Sequence, residues 1–289
     1  MYVHGDNLTG KENHKSKYCD ATSKQYLAEI RERYDEWKQA NESLKGPVRE
    51  ESDSDEDTIK SRVELLNNYK DFLDQQHYAE NFDSRSNLHS SVLEEFMYYL
   101  FRDLVAELSS NALIGKSHTF KDIFFTPKNF SEMVEEPKVS IEKKDHDFAI
   151  GVTMNSKMNC NGSSKYVQES WDIPAVTIEC KTYLDKTMLQ DVSTAAETIK
   201  SKNPNALSIV VAEWLKLTES VNLYKFKVDQ VYVLRKQKNT DREFRYADSY
   251  EKNPIYPDVV NHLFESVRKY LTADWEGGVQ FGLARGYLK

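Results

Sequence analysis

The chain has 289 residues, 39% of them hydrophobic, and a net charge of −8, enough apolar material for one large domain or two modest ones with a real core. No run of about 18 apolar residues exists, which excludes a helical membrane span, and the opening Met1-Tyr2-Val3-His4-Gly5-Asp6 lacks the apolar centre of a signal peptide. The acidic balance argues against a non-specific nucleic-acid coat, which would be basic. Cys19, Cys160 and Cys180, an odd set without C-x-x-C spacing, point away from a zinc site or a disulfide framework and towards a reducing cytoplasm.

Residues 1–20 are polar and read as an irregular arm, either disordered or in contact with DNA phosphates. Residues 22–44 read as a helix with Tyr26, Ile30, Tyr34 and Trp37 on one face and Thr22 or Ser23 as its cap. Gly46-Pro47 breaks it, and six acids within residues 50–57 predict a solvated linker. A second helix follows over about 58–78, with Ile59, Val63, Leu66 and Leu73 on one side. Residues 1–85 therefore read as a small, mostly helical region, and residues 86–289 as a second domain.

A long helix is expected from Ser90-Ser91 to about Ser109, its broad stripe of Val92, Leu93, Phe96, Tyr99, Leu100, Leu104 and Leu108 suited to packing on a sheet. Glu94 and Glu95 lie in its first turns. Acids there complement the helix dipole, and the family resemblance given below implies that one of them faces a site at the sheet, with Glu94 the first choice and Glu95 the second. Residues 111–145 read as loops and a strand, Asp147 to Met154 as a strand, and 155–170 as a turn-rich connection. Ile173 to Lys181 reads as a central strand, Lys186 to Lys202 as a helix stopped by Asn203-Pro204-Asn205, and Ala206–Ala212 and Gln230–Leu234 as strands. Strand, helix, strand at this spacing predicts parallel pairing. Asp258 to Leu271 reads as a last helix, and Gly277-Gly278 as the start of an irregular tail. The whole predicts an α/β (α+β) fold, a mixed central sheet flanked by helices.

The chemistry concentrates at Val176-Thr177-Ile178-Glu179-Cys180-Lys181. Side chains alternate along a strand, so Glu179 and Lys181 point to one side. Asp147 opens the preceding strand in Asp147-Phe148-Ala149-Ile150-Gly151, with Asp145 as its competitor. Two acids and a lysine brought together suit a hard Mg²⁺ ion and an activated water. Asp147 and Glu179 are the expected ligands, with the Cys180 carbonyl as a further one and Glu94 as an outer one. Lys181 is expected to orient the water or stabilise developing charge. Other chemistries find no support: there is no Gly-rich phosphate loop and no G-x-S-x-G, and the seven histidines are scattered. His146, beside Asp147, is a candidate support for the site. Residues 216–245 hold eight basic and four acidic side chains with interleaved aromatics, either a phosphate-tracking face or an ordinary exposed hairpin.

The pairing of Asp147 with Glu179-Cys180-Lys181 matches the PD-(D/E)xK nuclease signature, with His146 in place of the proline. The stretches Ser91-Val92-Leu93-Glu94-Glu95-Phe96-Met97-Tyr98-Tyr99-Leu100-Phe101 and Thr177-Ile178-Glu179-Cys180-Lys181-Thr182-Tyr183-Leu184-Asp185-Lys186-Thr187-Met188 resemble type II restriction endonucleases of the BbvCI kind, most strongly over residues 90–215. The resemblance implies a Mg²⁺-dependent nuclease of a bacterial cytoplasm and of a restriction-modification system. It implies a smaller N-terminal region for site recognition, and double-stranded DNA of an asymmetric, CCTNAGC-type sequence as substrate. It further implies a related second subunit, each subunit cutting one strand, so that loss of one site leaves a nickase. A homodimer, a repair or resolvase-type nuclease of the same fold, and a non-catalytic DNA-binding or assembly subunit are the alternatives.

Overall fold

Five strands form one sheet in the order of the chain: β1 (Leu113–Phe125), β2 (Val139–Met158), β3 (Val167–Leu184), β4 (Leu207–Leu215) and β5 (Gln230–Val233). The structure is a computed structural model and describes residues 1–82, 86–240, 243–275 and 279–286. β1, β2 and β3 pair antiparallel, whereas β3, β4 and β5 run parallel. A bridge between Thr119 and Asp172 also joins β1 to β3, so the first three strands curl towards one another. β4 is buried along nearly its whole length, as a parallel strand covered on both faces must be.

Helices cover both faces. On one lie α1 (Val3–Glu12), α2 (Ala21–Ser43), α3 (Asp55–Leu73), α5 (Ser91–Leu108) and α8 (Pro257–Thr272). Leu93, Phe96, Leu100 and Leu104 of α5 pack with Phe148, Ile178, Ile209 and Val211 of the sheet in one continuous core, which also takes Ile30, Ile59 and Leu66 from the first helices. α7 (Lys186–Lys202) covers the other face, with Leu189 and Val192 against Leu184, Val210 and Ala212. Asp185 caps α7 by accepting from the Met188 N–H at 2.8 Å. This capped crossover fixes where β3 ends, and so where Lys181 stands. Three short helices complete the set: α4 (Gln76–Asn81), α6 (Phe130–Glu135) and α9 (Val279–Arg285).

Several elements differ from the sequence expectations. The opening is no irregular arm, because His4 and Leu8, one turn apart on α1, are both buried. Polar residues deceive here: His4 bonds Ser91 Oγ and the Tyr69 hydroxyl, and the Lys11 ammonium reaches the Ser86 carbonyl. The cap of α2 is Asp20, which accepts from Ser23 N. The acidic run enters α3 at Asp55, where Asp55 itself pairs with Arg268 in the interior. The turn-rich connection is narrower than expected, since β2 runs to Met158 and β3 starts at Val167. Gly277-Gly278 lies outside the described residues, and Val279–Arg285 just beyond it form the helix α9 rather than an irregular segment.

A cluster of charges is buried where the first helices meet the sheet. Lys70 of α3 lies 3.0 Å from Asp74 and 2.9 Å from Glu213 of β4, and Arg235, just after β5, lies 3.0 Å from Glu213 and 3.7 Å from Asp74. Burial alone would push the Asp74 carboxyl up, but Lys70, His89 and Arg235 outweigh it and hold the group ionised well below the usual range. Removing one member leaves the others as uncompensated interior charges. Lys70→Met is therefore expected to lower the unfolding free energy by about 3–5 kcal/mol, read from urea denaturation; a loss below about 1 kcal/mol would show that the cluster holds the helices only weakly.

Candidate active site

The site is built by a break in the β1–β2 ladder. The pairing passes from Gly115↔Ala149 to Ser117↔His146, so β2 carries one extra residue across Asp147 and Phe148. Such a bulge re-aims a side chain and bends the strand. On its other side β2 keeps regular register with β3 at Phe148↔Ile178, which brings Asp147 beside Glu179. Just beyond the last β2–β3 pair, Phe148↔Ile178, the Cys180 N–H donates to Asp147 Oδ2 at 2.9 Å.

Lys181 ties the pair together. Its ammonium lies 2.8 Å from Asp147 Oδ2 and 3.0 Å from Glu179 Oε2. His146, buried at 2% exposure, donates from Nδ1 to Glu179 Oε1 at 2.8 Å. Its Nε2 has no partner among the described residues. The three sequence-predicted residues Asp147, Glu179 and Lys181 therefore meet, and His146 joins them from the position where the signature has proline. Asp145 does not join; it is exposed and pairs with His118 at 2.6 Å.

The electrostatics separate the two acids. Burial pushes Glu179 up, but the His146 hydrogen bond and the Lys181 charge outweigh it and hold its carboxyl at about 2. Asp147 is raised, first by burial and then by the Glu179 charge, against the pull of Lys181. Lys181 stays charged because Asp147 and Glu179 outweigh its desolvation. The Cys180 thiol is buried and raised well above its ordinary range, so it is no nucleophile.

The neighbouring acids Glu94 and Glu95 of α5 face opposite ways. Glu94 turns towards the site, and burial followed by the Asp147 charge raises its carboxyl to about 7, against Lys116 and Lys181. Glu95 faces the first helices and is fully occupied there. Its Oε1 accepts from the Tyr34 and Tyr99 hydroxyls at 2.9 and 2.8 Å, and its Oε2 from the His4 and Gly5 N–H groups at 2.9 and 3.2 Å. Lys116, on β1 beside the bulge, is a charge at the site that the sequence reading passed over; only the pairing register reveals it.

No three acid, histidine or thiol groups among the described residues converge as a ready metal shell. The donor set nonetheless suits a hard divalent cation. Two acids share one lysine, and a third, Glu94, is raised by burial and then by the Asp147 charge. The proposed basic face over 216–245 fares differently. Arg235 is buried, Lys236 and Lys238 pair with Asp258 and Glu219, and Arg242 lies outside the described residues. That stretch is not a hairpin, since β4 and β5 run parallel.

A family model described as the Bpu10I restriction endonuclease matches residues 85–288. Among solved structures the chain is similar to a native BbvCI A2B2 tetramer at low resolution, with a TM-score of 0.70 and 18% sequence identity, over 93% of this chain and 96% of that one. At that identity the likeness is one of fold. Comparison with curated proteins finds no match.

Glu94 gives a pH test in chelator-treated protein. Its folded-state pKa, about 7, exceeds its ordinary value of 4.5. Its contribution to stability is fully present below about 4.5 and is lost as pH rises through about 7. Glu94→Gln should remove roughly 2–3 kcal/mol of this dependence. Urea unfolding between about pH 4.5 and 8 measures it; parallel curves for the two proteins would show that Glu94 does not sit in the anionic field.

Proposed function

The chain belongs to the Bpu10I restriction endonuclease family, and from that premise we propose that it is a catalytic subunit that hydrolyses one phosphodiester bond of a double-stranded DNA site with Mg²⁺. The observation that carries the reading is the Lys181 ammonium held between Asp147 and Glu179 at the end of β3, with Glu94 opposite. Asp147, Glu179 and the Cys180 carbonyl would hold the Mg²⁺ ion, with Glu94 as an outer ligand. When bound, the ion supplies Lewis-acid relief of charge on the phosphoryl group and lowers the pKa of water.

The protein groups have separate tasks. The Lys181 ammonium orients the attacking water towards the phosphorus and stabilises the negative charge that develops on the phosphoryl oxygens. Glu179, kept ionised by His146 and Lys181, cannot swing away, because both of its oxygens are engaged. Glu94, with a carboxyl at about 7, is suited to exchange a proton with solvent near neutral pH. The bulge fixes Asp147 on the sheet rather than on a loop, which keeps reacting groups aligned.

A duplex has two strands and this chain has one such site, so a complete cut needs a second subunit. The similar solved structure is an A2B2 tetramer. That supports a related partner subunit for this chain, with a second copy of the chain as the other arrangement. In this reading residues 86–289 carry the chemistry and the mostly helical residues 1–85 serve duplex recognition. Supercoiled plasmid carrying candidate sites, incubated with Mg²⁺ and both subunits, tests the proposal. Wild-type protein should linearise it, and Lys181→Ala should leave an open circle, with cleavage of one strand reduced at least ~10²-fold and DNA binding retained. Linear product at the wild-type rate from the Lys181→Ala protein would sink the site assignment.

A further inference from the structure

A cavity of about 310 Å³ opens where three segments meet. His89 lines it from the turn before α5, Thr182 from β3 one residue after Lys181, and Phe244, Arg245 and Tyr246 from the loop before α8, with Phe82 at its side. The site and the cavity are neighbours on the chain twice over. Thr182 follows Lys181, and His89 lies in the turn that leads into α5, whose Glu94 turns towards the site. Its size falls at the lower end of the range for pockets that hold small planar molecules, about 300–1,000 Å³.

His89 is 6% exposed, and its Nδ1 lies 2.9 Å from Asp74 Oδ1. Asp74 is ionised by Lys70 and Arg235 and can only accept, so Nδ1 carries the proton. Burial disfavours a second proton on the ring. The Nε2 atom, buried and without a partner among the described residues, therefore presents a lone pair that asks for a donor. Arg245 has the opposite character. Its guanidinium offers only donors, and its Nε likewise lacks a partner among the described residues. It lies 4.7 Å from the Tyr246 ring centroid and 5.0 Å from that of Tyr183. Phe244, 47% exposed, meets Tyr246 edge-on at 5.8 Å.

A phosphate does not suit this pocket, since it brings acceptors only and would meet the His89 lone pair and aromatic walls. A nucleobase suits it: flat faces for the aromatic rings, and an edge that carries both donors and acceptors. We infer that the pocket receives an unstacked nucleobase of the bound DNA, with His89 accepting from its edge, Arg245 donating to it, and Phe244 lying against its face. The inference rests on the reading of the neighbouring site as a DNA-cleaving one. Unstacking costs a few kcal/mol, and the engagement of the edge and faces in the pocket offsets it.

The test uses the full chain with its partner subunit, without Mg²⁺ to prevent cutting of either strand, and duplexes that carry the cut site with 2-aminopurine at each position in turn. Fluorescence anisotropy confirms that each duplex is bound. The expected result is severalfold brightening at one position at or beside the cut, abolished by adding Arg245→Ala or Phe244→Ala while the duplex stays bound. Phe244 is half exposed, so its variant keeps the test open should loss of His89 or Arg245 disturb the fold. Bound duplexes that brighten at no position overturn the inference, as does brightening that survives both substitutions. Quenching of free 2-aminopurine nucleotide by the protein, with no change from DNA, assigns the pocket to a free nucleotide and overturns the DNA assignment. Failure of the cleavage reading is seen separately, as linear product at the wild-type rate from the Lys181→Ala protein in the plasmid assay.

Discussion

One ammonium group, that of Lys181, lies between carboxylates from two strands, and the surrounding structure exists to hold it there. Burying Asp147, Glu179 and Glu94 together is costly, because each desolvated anion raises the pKa of the next. Lys181 offsets part of that cost directly. Two hydrogen bonds add to this, since the Cys180 N–H donates to Asp147 in the β2 bulge and His146, the residue before the bulge, donates to Glu179. What remains is the carboxyl of Glu94, raised by burial and by the Asp147 charge. The site is thus poised by its own incompleteness.

Much of this was legible in the sequence because it is local. The Glu-x-Lys spacing follows from strand alternation, the broad stripe of α5 from its period, and the end of α7 from Asn203-Pro204-Asn205. The family-level fold and the parallel pairing of β3, β4 and β5 followed from the order of those elements. The illegible part depends on pairing across the chain. No local pattern announces that β2 carries its extra residue at Asp147, that Lys116 lies near Glu94, or that Glu95 is spoken for by His4 and Gly5. Residues 1–12 looked like an unstructured arm because His4, Gly5 and Lys11 are poor signs of a core helix; each is buried through a hydrogen-bond partner dozens of residues away. Arg235 looked like a surface cation for the same reason, its partners Glu213 and Asp74 being distant in sequence.

The first helices and the sheet are joined by polar contacts as well as by the shared apolar core. Glu95 ties α5 to α1 and α2, and the Lys70, Asp74, Glu213 and Arg235 cluster ties α3 to β4 and to the segment after β5. Directional contacts of this kind fix orientation more strictly than apolar packing does, because a small slide leaves a buried charge unpaired. His89 belongs to the cluster through Asp74 and borders the cavity beside the site, so the same bonds that set the helices on the sheet also set one wall of that cavity.

The opposed pointing of Glu94 and Glu95 bears on how such a chain can diverge. Successive residues on a helix are turned by about 100°, so one residue gained or lost in the first turn of α5 would exchange an acid facing the sheet for one facing the first helices, and both sets of partners would be broken at once. Substitutions can be absorbed here singly, each judged on its own side of the helix. Changes of length cannot. Across relatives, this segment should drift in composition while keeping its residue count, and insertions should gather instead in connections such as that between β2 and β3, where neither set of partners depends on the count.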